Sequence, residues 1–249
     1  MIEIIEVTNK DDLKKFIYLP EKIHKGHTNW LHPIYSDDWI FFDATKNKAF
    51  NYCDTLLAMA KKDGQIVGRI MGIINWRYNE LNNEKTGRFC FMEAYPDKDV
   101  FQALISHIET WAKNKGMNKM IGPFGFSDKD PQGFLVDGFS APTVMVTNCS
   151  LPYMAEMIEQ EGYTKKMDFV QYKVSTPSEV PVLYERASQR PQRNGYSLVE
   201  FTKRKQLKNY IRPVLGLTNE TYTDIFGYVP FSEEEMDDFA KRYIPILDP

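Results

Sequence analysis

A chain of 249 residues, 43% hydrophobic and 26% charged, has material for one large or two small domains with a packed core. Its formal net charge of −3 argues against a nucleic-acid surface spread over the whole protein. No apolar run approaches the roughly 20 residues of a membrane helix, and the opening MIEIIEVTNKDDLKK lacks the basic-then-apolar order of a signal peptide. The cytoplasm, with no membrane partner, is the expected setting. Three unclustered cysteines, Cys53, Cys90 and Cys149, do not make a paired disulfide framework and read as buried thiols in a reducing compartment.

Ile2–Val7 alternates Ile with Glu and predicts a strand with one buried face. Thr8 or Asn9 caps a helix running to about Leu19, with Asp11 and Asp12 at its positive end and Pro20 stopping or kinking it. Asn29–Phe42, crowded with aromatics, reads either as a hydrophobic lid packed on the core or as a substrate-lining loop. Leu56–Lys61 and Ile66–Asn75 form a hairpin across Asp63-Gly64, residue types that supply the positive φ of a tight turn. A polar excursion, Arg77–Gly87, leads to a strand over Arg88–Tyr95, ended by Pro96. Lys98–Lys115 carries an apolar stripe at 3.6-residue spacing and stops at Gly116.

Lys119–Phe126 predicts a short strand rich in Gly and Pro. Ser127–Pro142 is too long and turn-rich for a plain connector. A helix over Leu151–Gly162 and a strand over Asp168–Val174 follow. Thr176–Pro181 reads as a linker into a helix with the basic run Arg186–Arg193. A strand (Tyr196–Phe201), a helix from about Lys203 and a helix capped by Ser232 close the chain.

From Leu56 to Tyr163 the order is strand, turn, strand, strand, helix, strand, helix, strand. With GQIVGRIMGIIN (Gly64–Asn75), ETWAKNKGMNKMIGP (Glu109–Pro123) and MIEQEGYTKKMDFVQYKV (Met157–Val174), it resembles the GNAT superfamily of acyl-CoA N-acyltransferases. NWLHPIY, GRIMGIINWRYNE and GPFGFSDKDPQGFLVDGF resemble, more narrowly, a bacterial group of GNAT-like proteins. The implied fold class is α/β (α+β): a mixed, mostly antiparallel twisted sheet flanked by helices, over residues 1–175. Residues 176–195 then form a linker and helix. Residues 196–249, where YSLVEF-TKRKQLKNYI echoes the opening IEIIEV-TNKDDLKKFI, form an incomplete second copy of strand and helices. An unfinished sheet edge would call for packing on the first domain or for a homodimer.

The resemblance implies an acyl-CoA, such as acetyl-CoA, as donor and the amine of a small molecule or peptide as acceptor. The pantetheine arm would lie along the backbone of Phe91, Met92, Glu93 and Ala94, with the pyrophosphate at the next helix N-terminus beside Lys98. The two glycine positions of that phosphate loop fall here on Asp99 and Phe101, and Asp97 and Asp99 place negative charge where phosphates would sit. The family's tyrosine acid falls on Ile158, which leaves Tyr153, about one turn earlier, as the alternative. Glu93 is the candidate general base. Arg77, Phe126, Asp128 and Asp130 are candidates for lining the acceptor site, with Asp-Lys-Asp-Pro-Gln-Gly also serving as plain turn chemistry.

His24, His27 and His32 lack the partners of a metal site and read as surface or capping residues; no metal is expected. No GxSxG, CxxC or P-loop motif occurs. Two further functions stay open beside acyl-CoA transfer. One is a non-catalytic, ligand-binding descendant of the fold. The other, resting on the basic run Lys203–Lys208, is an aminoacyl transferase acting with tRNA.

Overall fold

The computed structural model describes every residue apart from 145 and 249. The chain forms two compact units, residues 1–168 with 224–229, and residues 169–223 with 230–249.

The first unit is built on a five-stranded sheet in the order β1 (Ile2–Glu6), β2 (Cys53–Lys62), β3 (Gln65–Asn75), β4 (Thr86–Ala94) and β5 (Lys119–Ile121). The first four strands pair antiparallel and β5 runs parallel to β4. This is the α/β class, with a mixed and mostly antiparallel sheet, that the sequence implies. Asp63 (φ 51°) and Gly64 (φ 81°) both have positive φ at the β2–β3 turn, as an Asp-Gly hairpin requires.

The two-residue period of the strands sorts their side chains onto two cores. On one face Ala58, Ala60, Ile70, Phe89, Met92 and Ala94 pack against helix α4 (Lys98–Asn114), which brings Val100, Phe101, Leu104, Ile105 and Ile108. Helix α5 (Tyr153–Gln160) adds Met154 and Ile158 to that core. On the other face Met59, Met71, Ile73 and Cys90 pack against Phe16 and Ile17 of helix α1 (Lys10–Ile23) and Phe42 at the end of helix α2 (Tyr35–Phe41). The aromatic segment around α2 is thus a lid on this second core. Asn9 caps α1 by accepting the Asp12 N–H at 2.9 Å.

Glycine is required at two places. A Cβ on Gly68 would lie 2.8 Å from Leu104 and 2.9 Å from Ala94, so its absence lets α4 lie flat on β3. A Cβ on Gly122 would stand 2.5 Å from the Phe89 carbonyl oxygen, at the point where the chain after β5 crosses close to β4.

The structure corrects four local expectations. Pro20 does not end α1, which continues to Ile23. A proline at that position leaves the carbonyl four residues back without its helical donor, and the Arg69 guanidinium supplies one, Nη1 to Phe16 O at 2.8 Å. The polar excursion contains helix α3 (Trp76–Asn82), capped by Asn75. The strand expected over Lys119–Phe126 is only three residues long, because Arg88 and Asn75 draw the following carbonyls out of register. Asp168–Val174 and Tyr196–Phe201 are irregular and largely exposed rather than strands. Among the described residues no strand pairs with them, and an isolated strand has too little to hold it.

The second unit has helices α6 (Val182–Arg193), α7 (Arg204–Thr221) and α8 (Glu233–Tyr243). Helices α7 and α8 are joined by Arg212, whose guanidinium bonds both Asp237 carboxylate oxygens at 2.9 Å, and by Asn219, which exchanges two hydrogen bonds with Phe231. Ser232 and Glu235 cap α8 reciprocally. The strand expected to open a second copy, Tyr196–Phe201, is thus not formed. In the basic run, Arg204 Nε bonds the Leu247 carbonyl at 2.9 Å.

Gly68→Ala tests the close approach of α4 to β3. A methyl group there forces Leu104 and Val100 out of place, and a loss of about 1–3 kcal/mol is expected in urea unfolding. A midpoint equal to the parent's would show that the contact is slack.

Candidate functional site

Strand β4 departs from its neighbours in two ways. Phe91 has φ 49°, a left-handed conformation that a bulky residue adopts only under constraint. The register with β3 shifts there, between Arg69 and Met71. On the other side, the parallel pairing with β5 covers only Thr86–Arg88 and is followed by one further bond, Phe124 N–H to Phe89 O at 2.7 Å. Beyond it the chain leaves β4. Among the described residues no main-chain bond from outside β3 reaches Cys90, Phe91, Met92 or Glu93. The next contact is at Ala94, whose carbonyl accepts the Tyr153 hydroxyl at 2.7 Å. A stretch of strand edge thus lies open between Phe89 and Ala94, bounded by Phe124 at one end and Tyr153 at the other.

The bulge also directs side chains. Arg69 on β3 and Glu93 on β4 are register partners, and their charged groups meet on the α1 face, Nη2 to Oε2 at 3.3 Å. Arg69 is 4% exposed, and its guanidinium lies over the rings of Phe16 and Phe91 at 5.1 and 5.4 Å. His24, the C-cap of α1, is 2% exposed and places Nε2 at 3.8 Å from Glu93 Oε1. Its other ring nitrogen bonds His27 at 3.1 Å, and its ring stacks on Trp30 at 4.9 Å. Burial pushes the Glu93 carboxyl upward, but Arg69 and His24 together hold it below the ordinary 4.5. Glu93 is therefore ionised at neutral pH.

Asp38 of α2 faces the same ions. Burial pushes it up to about 6, Arg69 opposes that, and Glu93 adds to it. His24 Nε2, Arg69 Nε and Glu93 Oε2 have no hydrogen-bond partner although they are enclosed. Buried polar atoms are ordinarily satisfied; here Glu93 Oε2 has the Arg69 guanidinium as its charged neighbour.

The other predicted residues divide between this place and elsewhere. Met92 is buried in the α4 core. Phe91 packs its ring against Phe41 and Phe42, at 5.3 and 5.0 Å. Lys98 is exposed in the first turn of α4. The backbone N–H groups of Asp99 and Val100, which an anion would use, donate to the Asp97 carboxylate at 3.2 and 3.3 Å. That carboxylate also pairs with Lys62. Phe101 is wholly buried and Ile158 lies in the core. Tyr153 is half-buried, and burial pushes its phenol up to about 12.

Phe126 is 4% exposed, packed on Phe41 and Phe50, with its carbonyl taken by Arg88 and Asn75 at 2.8 Å. Asp130 accepts the Phe126 and Ser127 N–H groups at 2.7 and 3.3 Å, and burial raises its pKa to about 6. Asp128 pairs with Lys129, and its N–H bonds the Gly227 carbonyl. Arg77 lies over the Tyr52 ring at 3.5 Å. Arg88 is buried, pushed down to about 10 by its desolvation, and lies against Tyr78 and Phe124 while it binds the Gly125 and Phe126 carbonyls.

Burial raises Cys53 to about 12 and Cys90 well above the ordinary thiol value; Cys149 is only half-buried. Among the described residues no group of three metal-ligating side chains converges. Two surface hollows, of about 370 Å³ beside Asn83–Thr86 and about 560 Å³ beside Met120 and Tyr163, include neither Glu93 nor Met92.

Sequence reading missed His24, Arg69 and Asp38. Arg69 carried a signal, being a charge within the apolar run Ile66–Asn75 (IVGRIMGIIN) with Glu93 on the following strand. His24 was expected as a surface or capping residue; it does cap α1, but it is buried.

An acyl-CoA fits this site in part. The open β4 edge presents unpaired backbone to an extended amide-bearing arm. The α4 N-terminus does not fit a diphosphate, since its first amides are bonded to Asp97 and that carboxylate would face the phosphates.

No family model matches the chain. Over 255 residues it is 27% identical to a bacterial ceramide synthase of Caulobacter vibrioides, an alignment covering 99% of this chain and 64% of that protein. Over 242 residues it is 30% identical to protein YghO of Escherichia coli, covering 95% of this chain and 61% of that protein. The chain thus spans somewhat under two thirds of the length of these curated relatives.

Solved structures that resemble it include acetyltransferases and a tandem GNAT protein. A predicted acetyltransferase from Clostridium acetobutylicum with acetyl-CoA aligns at TM-score 0.43 and 9% identity, over 70% of this chain and 96% of that one. The enzyme AAC(6')-Iy with a CoA bisubstrate analogue aligns at 0.41 and 16%, over 71% and 99%. A tandem GNAT protein from the clavulanic acid pathway aligns at 0.36 and 14%, over 47% and 34%.

The Arg69–Glu93 pair makes a prediction about stability. Because the folded-state pKa of Glu93 is depressed, its contribution is full above the unfolded value near 4.5 and is lost as pH falls through the lower folded value. Arg69→Met strands the carboxylate and is expected to cost roughly 2–4 kcal/mol at pH 7. Adding Glu93→Gln to Arg69→Met should recover some of that loss in denaturant titrations. A double variant no more stable than Arg69→Met would mean that the two charges do not depend on each other.

Proposed function

We propose that the chain is an N-acyltransferase that moves an acyl group from a thioester to a primary amine. The carrying observation is Glu93: an ionised carboxylate held by Arg69 and His24 next to an unpaired strand edge. The name of the Caulobacter relative points to the acceptor class. A ceramide is the amide of a fatty acid with a long-chain amino alcohol, so the acceptor proposed is a 2-amino alcohol bearing a hydrocarbon chain. Two features of the site suit such a molecule. Glu93 and Asp38 together favour an ammonium group, and Leu31, Ile34 and Ile40 around α2 are apolar and exposed, offering a surface for a chain.

In this reading Glu93 removes a proton from the substrate ammonium, directly or through His24. The freed nitrogen lone pair attacks the thioester carbonyl carbon, a C–N bond forms as the C–S bond breaks, and the nitrogen, cationic after attack, passes its second proton to water. The Tyr153 hydroxyl, fully protonated at neutral pH with its pKa raised to about 12, gives its proton to the departing thiolate and regains one from water. Direct attack suits the chain, since Cys53 and Cys90 are held as thiols by burial and make poor nucleophiles.

The test is amide formation followed by mass spectrometry, with a long-chain 2-amino alcohol and a fatty acyl thioester. Glu93→Gln should lower kcat by about 10²–10⁴ at pH 7, as loss of a general base does. The deficit should shrink toward pH 9–10, where solvent supplies more free amine. A Glu93→Gln variant as active as the parent at pH 7 would remove Glu93 from the chemistry.

A further inference from the structure

The site is mismatched within itself. The open edge of β4 offers backbone to an extended arm, while the helix end that follows is closed to a diphosphate. Asp97 is the N-cap of α4, and its Oδ1 receives the N–H groups of both Asp99 and Val100. Its Oδ2 holds the Lys62 ammonium, the nearby cation that could otherwise meet a phosphate. Asp99 adds a second carboxylate in the first turn, leaving exposed Lys98 as the charge between them. Phe101, sealed in the core, holds the helix close to the sheet. A diphosphate placed here would have to displace a carboxylate from two amides and an ammonium, and would then face that carboxylate uncompensated. The Phe89–Ala94 edge asks nothing comparable of an uncharged arm, and it runs roughly 15 Å at a strand's rise of about 3.3 Å per residue.

We propose that the donor is recognised through its acyl-pantetheine arm alone, with no grip on a nucleotide diphosphate, and that the acyl group arrives on a phosphopantetheinylated carrier rather than as a free CoA thioester. The inference rests on the acyltransferase reading above. A carrier-borne arm ends in a single phosphodiester attached to protein, which places no diphosphate against Asp97.

The experiment pairs a binding measurement with a kinetic one. For binding, pantetheine, CoA and adenosine 3′-phosphate 5′-diphosphate are titrated against the whole chain at low salt and followed by calorimetry. Pantetheine and CoA should bind within about threefold of each other, and the nucleotide should give no heat at millimolar concentration. Nucleotide binding as strong as that of CoA would overturn the proposal and leave the acyltransferase reading standing. Absence of binding by all three, together with no amide formed from any donor, would remove both.

For kinetics, the same fatty acyl group is offered on CoA, on pantetheine and on a carrier protein. Acyl-pantetheine should match acyl-CoA in kcat/KM within about threefold, and the acyl carrier should exceed both by tenfold or more. A hundredfold preference for acyl-CoA would refute the proposal, and equal use of all three would refute its carrier arm. Asp97→Ser, which keeps a helix cap and removes the charge, should raise the CoA-to-pantetheine ratio at least fivefold. An unchanged ratio in this variant, with the fold intact by circular dichroism, would show that Asp97 does not exclude the diphosphate.

Discussion

One guanidinium ties the first unit together. Pro20 lacks the N–H that would close the helical bond to Phe16, and that carbonyl is turned to the sheet, where Arg69 donates to it. The cation so buried needs an anion, and Glu93, its register partner on β4, supplies one. Helix, sheet and carboxylate are thereby fixed by a single side chain, each satisfying a group that would otherwise be costly to enclose. Phe16 and Phe91 complete the setting with their rings. The bulge at Phe91 belongs to the same arrangement, because it restores Glu93 to the α1 face after the register shift.

The electrostatic character of the site follows from that arrangement. Glu93 is charged because Arg69 and His24 outweigh its burial, whereas Asp38, with only a share of the same cation, is pushed toward neutrality. Two carboxyl groups beside one guanidinium are thus pushed in opposite directions, Glu93 downward and Asp38 up to about 6. Tyr153 stands apart, on the far end of the open edge, tied to Ala94. Base and acid candidates are therefore carried by different layers of the fold, one on the strand and one on the helix that packs across it.

Much of this was legible in the residues. The Asp63-Gly64 hairpin, the apolar stripe of α4 and the placement of Asp97 and Asp99 at its start follow from period and capping chemistry, and all reappear in the structure. The two strands that fail, Asp168–Val174 and Tyr196–Phe201, are β-prone by composition but lack a neighbour, and pairing is not encoded in a local window. Glu93 was visible as a charge on the cleft strand. Its partners were not, because the bond from Arg69 to Phe16 and the burial of His24 depend on how α1 is laid over the sheet. Phe126, chosen for its loop, is a core residue, since the loop it begins is pinned inward by Arg88 and Asn75.

Arg88 sets where that loop begins. It is a buried cation with no carboxylate within ion-pair distance among the described residues, held instead by two carbonyls and two aromatic faces. Those carbonyls belong to Gly125 and Phe126, and Asp130 ties the next amides from the other side. Residues 124–127 are thus an anchored root, clamped from above and below by opposite charges that do not touch each other. The segment beyond Ser127 is tied back as well, Gly133 N–H donating to the Pro123 carbonyl at 2.8 Å and Leu135 N–H to Ser150 Oγ at 2.6 Å. The course of the loop is therefore set where it begins, by a cation rooted in strand β4, as much as by its own turn residues.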